Sequence, residues 1–129
     1  MAPGLSEFID GDRFRTFIAE DNGNAIGYAI AEFRHQNENA FKYSRDSLLI
    51  HQIAVAPNHR RKGVATALLD HAEGLAEQAG VTRLEIDVYT ANHDAKVSYA
   101  ARGFRTFREL MEKDLTRQEG EPDGTKRRR

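Results

Sequence analysis

The sequence predicts an α/β fold with a mixed central sheet flanked by helices. Three observations carry that expectation. "FRTFIAE" (Phe14–Glu20) and "AIGYAIAEF" (Ala25–Phe33) are rich in β-branched and aromatic residues, and "DNGN" between them is a turn signal, so the pair reads as an antiparallel hairpin. "LLIHQIAVA" (Leu48–Ala56) is too apolar to face water and reads as a central strand. After it come a glycine turn, a helical pattern and "TRLEIDVY" (Thr82–Tyr89), so the middle of the chain reads strand–helix–strand. That crossover implies a parallel pair with a right-handed connection, whose ligands gather at the carboxyl ends of the strands.

The elements follow in order. "RHQNENAFKYSRDS" (Arg34–Ser47) is polar and reads as a loop. Pro57 and Asn58 stop the central strand. From Val64 the apolar residues Val64, Leu68, Ala72, Leu75, Ala76 and Ala79 recur at helical spacing, and Gly80 is placed to end the helix. Asn92 caps a short helix expected over His93–Arg102, with Gly103 after it. Phe104–Leu115 reads as a final strand region. Beyond Thr116 the chain is polar and reads as a disordered tail, so one domain is expected over residues 1–115 and the tail over 116–129.

Composition narrows the function classes. A chain of 129 residues suffices for one core. With no Cys it has neither a disulfide framework nor a protein thiol, which fits a cytoplasmic location. No apolar run approaches the ~18 residues of a membrane span, and the N-terminus lacks a signal peptide's apolar centre. Net charge is −1, and the last four residues are all basic, so the remainder is acidic. A nucleic-acid surface is not expected, and "KRRR" reads as a solvated or appended tail. His35, His59, His71 and His93 show no H-x-x-x-H or H-x-H pairing, and no metal site is expected.

"HRRKGVATALL" (His59–Leu69) places Arg60, Arg61 and Lys62 at the start of the helix, where the dipole already carries positive charge. A phosphate there would satisfy both the cations and the unpaired first N–H groups. Gly63 lets a ligand approach the backbone, and Ala65 keeps the next side chain small. Neither G-x-x-x-x-G-K-[ST] nor G-x-G-x-x-G is present, which sets aside Walker-type and dinucleotide loops. On this stretch alone, a solvated charge run before an ordinary helix is the competing reading.

Arg60-x-x-Gly63-x-Ala65 resembles the acetyl-CoA signature of the GNAT superfamily, the GCN5-related N-acetyltransferases. "IAVAP" is similar to that family's fourth strand, and "ANHDAKVSYAARGF" matches its pattern at Asn92, Ala95, Tyr99, Gly103 and Phe104. "MEKDL" resembles its closing strand, so the likeness runs from Phe14 to Leu115. It implies the GNAT fold, with splayed parallel strands forming an acetyl-CoA slot, and direct transfer of acetyl from acetyl-CoA to an amine of a small molecule or peptide. A non-catalytic acyl-CoA-binding module is the alternative.

By the same resemblance, backbone N–H groups of Arg61, Lys62, Gly63, Val64 and Ala65 hold the pyrophosphate, and side chains of Arg60–Lys62 reach the nucleotide phosphates. Ile53, Ala54 and Val55 lie along the pantetheine arm, beside a bulge usual in this strand, with the Val55 N–H as oxyanion donor. Asn92 contacts the arm from the other side of the slot. Tyr99 is the general acid for the departing thiolate, or else the helix's buried aromatic. His51 is the first candidate base, resembling a histidine of arylalkylamine acetyltransferases. Glu85 and Asp87 are alternatives, and a hydrogen-bonded core histidine is the other reading of His51. Alternation cannot assign the face His51 takes, because a bulge would shift it.

The family pattern begins with a strand and two helices before the hairpin, whereas here only "MAPGLSEFIDGDR" precedes it. "LSEF" reads as the end of the second helix, with the first strand and most of the acceptor-side lid missing. A mis-assigned start is the competing explanation. Phe14–Ala19 then becomes a bare sheet edge, and a homodimer is expected to cover it.

Overall fold

The computed structural model describes residues 4–36, 45–88 and 92–116. The expected loop at 37–44, the tip of the expected strand at 89–91 and the tail from 117 lie outside the described residues. The chain forms two compact units, Met1–Lys96 and Val97–Arg129.

The first unit is a five-stranded sheet in the order β1-β2-β3-β4-β5. β1 (Gly4–Asp10), β2 (Phe14–Asp21), β3 (Asn24–Gln36) and β4 (Arg45–Val55) pair antiparallel in succession; β5 (Leu84–Ile86) pairs parallel with β4. α1 (Val64–Gln78) connects β4 to β5, and α2 (His93–Ala101) spans the boundary between the units. The mixed sheet, the hairpin and the parallel crossover agree with the sequence.

The chain before Phe14 does not. "LSEF" is a strand rather than a helix end, because Gly11 takes φ 70° and folds β1 back on β2, with Glu7 opposite Phe17. Phe14–Ala19 is therefore an inner strand, and the open edge belongs to β1. The polar loop is also shorter than expected: β3 and β4 run on past the apolar residues, with Arg34 opposite Ser47 and His35 opposite Asp46. A ladder needs backbone partners, and polar side chains do not prevent it.

β5 stops at Ile86, whereas a strand was expected over Thr82–Tyr89. Phe104–Leu115, in the second unit, forms no strand. Its apolar residues Phe104, Phe107, Leu110, Met111 and Leu115 do not alternate with the period of two that a half-buried strand requires. Leu110 and Met111 are almost fully exposed.

The core lies between α1 and one face of the sheet. Phe17, Ala29, Ala31, Leu48, Ile50, Leu68 and Ala72 are completely buried. α1 buries Val64, Leu68, Leu69, Ala72 and Ala76, close to the predicted stripe, and Gly80 follows it at φ 75°. Gly27 sets how closely the helix can approach. A Cβ there would lie 2.9 Å from Val64 Cγ1 and 3.0 Å from the Ala54 carbonyl oxygen.

Candidate active site

β4 makes the site through one irregularity. The β3–β4 register pairs Ile30 with Gln52 and Ala31 with Ile50, which leaves His51 as the extra residue of a bulge. Before the bulge β4 pairs with β5, Ile50 lying beside Ile86, and the last bond runs from the Asp87 N–H to the Ile50 carbonyl. A bulge twists its strand and reverses the sense in which the backbone groups point. Beyond it β4 has β3 on one side and, among the described residues, no strand on the other.

N–H groups alternate sides along a strand. The Ala56 N–H donates to the Ile26 carbonyl on the β3 side, at 2.8 Å. The N–H groups of Val55 and Ile53 therefore face the open side, where β5 has departed, and that of Ala54 faces β3.

At the carboxyl end of β4 a 3₁₀ turn (Pro57–His59) leads to α1. Gly63 caps α1 with φ 86° and ψ 7°, and no side chain caps the helix. The first turn also holds no acidic residue. Nothing would meet a Cβ on Gly63 within 4 Å, so packing does not require glycine there; the left-handed backbone does. Arg61 also has a positive φ, 63°. Lys62 and Ala65 are exposed beside this cradle. Arg60 Nε donates to the Val55 carbonyl at 3.3 Å, tying the loop to the end of the strand. An extended ligand with a pyrophosphate fits: anion at the helix start, amide-bearing arm along Ile53–Val55.

The bulge also settles the face of His51. Arg15, Phe17 and His71 lie on the α1 side of the sheet, where Glu7 Oε1 is 2.9 Å from His71 Nε2. His51 and Gln52 both turn to the opposite face. There Gln52 accepts from the Tyr28 hydroxyl at 2.9 Å, and His51 Nε2 lies 2.8 Å from Glu32 Oε1. The Phe14 ring stacks on His51 at 6.2 Å, inclined 29°. The other Glu32 oxygen accepts from Arg13, with Nε at 3.1 Å and Nη2 also bonded. Glu32 is 7% exposed. The hydrogen bond from His51, then the bonds and charge of Arg13, hold its carboxyl below the usual carboxylate range despite burial. A groove of about 850 Å³ is lined by Arg13, Glu32, Arg34, Asp46 and His51 among others.

Glu32 and Arg13 were missed in the sequence. The signal was present: one carboxylate inside the apolar run "AIGYAIAEF" must find a partner if it is buried. Glu85 pairs with Leu49, which pairs with Glu32, so Glu85 shares the face of His51. Asp87 is exposed just past the end of β5. Asn92 caps α2 as predicted, its Oδ1 accepting from the Ala95 N–H at 3.2 Å.

Tyr99 belongs to the second unit. Its half-buried ring meets Phe104 edge-on at 5.9 Å, and burial pushes its hydroxyl pKa up.

A parallel strand pair whose crossover helix opens on an uncapped, left-handed glycine turn defines the class: an α/β fold with a candidate anion-binding turn. A family model described as "Acetyltransferase (GNAT) family" matches residues 2–104, and the chain belongs to that family. It is 33% identical over 91 residues to streptothricin acetyltransferase of Streptomyces lavendulae, covering 70% of this chain and 44% of that protein. It is 30% identical over 94 residues to the [ribosomal protein bS18]-alanine N-acetyltransferase of Escherichia coli K12, covering 73% and 57%. Among solved structures it resembles aminoglycoside N-acetyltransferase AAC(6')-Iy in complex with CoA. That match has a TM-score of 0.70 at 27% identity, over 81% of this chain and 77% of that one. The chain spans about half the length of the curated relatives it matches.

Proposed function

We propose that this chain transfers the acetyl group of acetyl-CoA directly to an amine of a small molecule or peptide. The observation that carries the proposal is the stretch Ile53–Val55, paired with β3 on one side and with no strand of the described residues on the other, beside the left-handed Gly63 turn that no side chain caps. Acetyl-CoA supplies the acyl group as a thioester. N–H groups of Arg61–Ala65 hold its pyrophosphate, aided by the charge of Arg60–Lys62, and the slot edge of β4 aligns its arm. Asn92 keeps its proposed contact with that arm through atoms other than its capping oxygen.

A lysine-like amine is neutral in only about 1 molecule in 10³ at pH 7, so a base assists attack. His51 fills that role, and Glu85 on the same face is the reserve candidate. The amine nitrogen bonds to the acetyl carbon, the carbon–sulfur bond breaks, and the proton lost by nitrogen goes to His51. The Val55 N–H donates to the carbonyl oxygen as negative charge grows on it. Tyr99 gives its phenolic proton to the departing sulfur; burial keeps that phenol protonated at neutral pH.

The acceptor is left open as a class. Two relatives are named for acceptors as different as streptothricin and a ribosomal protein alanine. A cytoplasmic location and a homodimer complete the reading. A non-catalytic acyl-CoA-binding module is the rival, since the open groove beside His51 carries no acceptor-closing element among the described residues. An amine panel assayed for CoA release with acetyl-CoA separates them. Release with at least one primary amine is expected; binding of acetyl-CoA with no release across the panel supports the rival.

A further inference from the structure

Glu32 is a buried carboxylate in the middle of a strand, and such a charge persists only with partners that satisfy it. Arg13 is one of them, and a guanidinium can only donate. Held by Arg13, Glu32 is an ionised acceptor at both oxygens. The bond between His51 Nε2 and Glu32 Oε1 therefore has one possible polarity, with Nε2–H donating. A neutral imidazole carries a single proton, so the lone pair of His51 sits on Nδ1. Nδ1 has no hydrogen-bond partner among the described residues, and the His51 side chain is 36% exposed. Phe14 stacked on the ring restrains its plane.

We propose that Glu32 is a positioning residue that locks His51 in the Nε2–H tautomer, with Arg13 holding Glu32 as an acceptor, so that Nδ1 is the atom that receives the proton of the acceptor amine. The final clause rests on His51 being the base; the tautomer lock stands without it. When Nδ1 takes the proton, the imidazolium keeps its Nε2–H on Glu32, and the carboxylate stabilises the new charge without itself being protonated.

The near-isosteric Glu32→Gln variant gives the sharpest test. Arg13 would hold the amide oxygen, which turns the NH₂ group toward Nε2. His51 must then accept at Nε2 and carry its proton on Nδ1, where a base needs its lone pair. The ¹⁵N imidazole spectrum of the labelled full chain reads the tautomer directly. Five histidines contribute, and the signal of His51 is the one lost in His51→Gln. The Nε2–H pattern is expected in the wild type and the Nδ1–H pattern in Glu32→Gln. Turnover in Glu32→Gln should fall by about 10²-fold or more, the scale of a lost general base. Glu32→Ala, which installs no opposing donor, should keep more activity than Glu32→Gln although it removes more atoms. A residue that merely packs would give the reverse order. An Nδ1–H or mixed wild-type spectrum overturns the proposal, even if no variant folds. A tautomer that switches while turnover is unchanged upholds the lock and removes His51 from the reaction.

Discussion

Gly63 performs its role with backbone alone. Its φ of 86° costs an L-residue about 1–2 kcal/mol, and the space where a Cβ would stand is open. Gly63→Glu should therefore leave a folded protein while placing a carboxylate at the proposed pyrophosphate site. Titration calorimetry is expected to show acetyl-CoA binding abolished; unchanged affinity would move the phosphate site elsewhere. Tyr99 is a different case, because its aromatic contact with Phe104 and its proposed proton donation use different parts of one side chain. Tyr99→Phe keeps the ring and removes the proton. Turnover is expected to drop by about 10²-fold with acetyl-CoA affinity nearly unchanged. Full activity would leave Tyr99 as a packing residue.

Among the elements, β4 combines the proposed slot and the proposed base. One inserted residue, His51, ends the parallel ladder, turns the N–H groups of Ile53 and Val55 outward, and sends its own ring to the face of Glu32. The strand works only if α1 begins at the right place, and Gly27 governs that. Gly27→Val would drive a side chain into Val64, the first residue of α1, and into the Ala54 carbonyl. Urea unfolding should show a loss of about 1–3 kcal/mol, the usual scale of overpacking. Acetyl-CoA affinity should weaken with it, since Gly63 adjoins Val64. A wild-type midpoint would mean that the helix start does not rest on β3.

At the scale of the whole molecule, the proposed assembly rests on the outer edge of β1. β1 shields β2 and is itself the outer strand, with Leu5 37%, Phe8 56% and Ile9 66% exposed. Glu7 ties this strand inward to Arg15 and His71, which leaves those apolar side chains presented on a held edge. A second copy pairing along Gly4–Asp10 would cover them. Light scattering at micromolar concentration is expected to give twice the chain mass, and Phe8→Lys should shift it toward the monomer. A wild-type mass near 14.6 kDa rejects the pairing.

Local chemistry made much of this protein legible from its residues. The hairpin, the central strand, α1 with its glycine stop and the Asn92 cap follow from turn residues and apolar periodicity, which act within a few positions. The glycine turn before α1 was legible for the same reason, since Gly63 and the charges before it are contiguous. "LSEF" was misread because four residues carry no period and their strand exists only through β2. Phe104–Leu115 was misread because likeness to a family pattern outweighed a spacing unsuited to a strand. The face of His51 depended on a bulge that is defined by register against β3, not by any property of residue 51 itself. Glu32 and Arg13 reached the site in the same way, Glu32 being brought to Arg13 and to His51, each 19 residues away along the chain, by pairing. Sequence determined the elements and the glycine turn before α1; tertiary structure alone decided which polar side chains meet, because register sets those contacts over distances that no local pattern encodes.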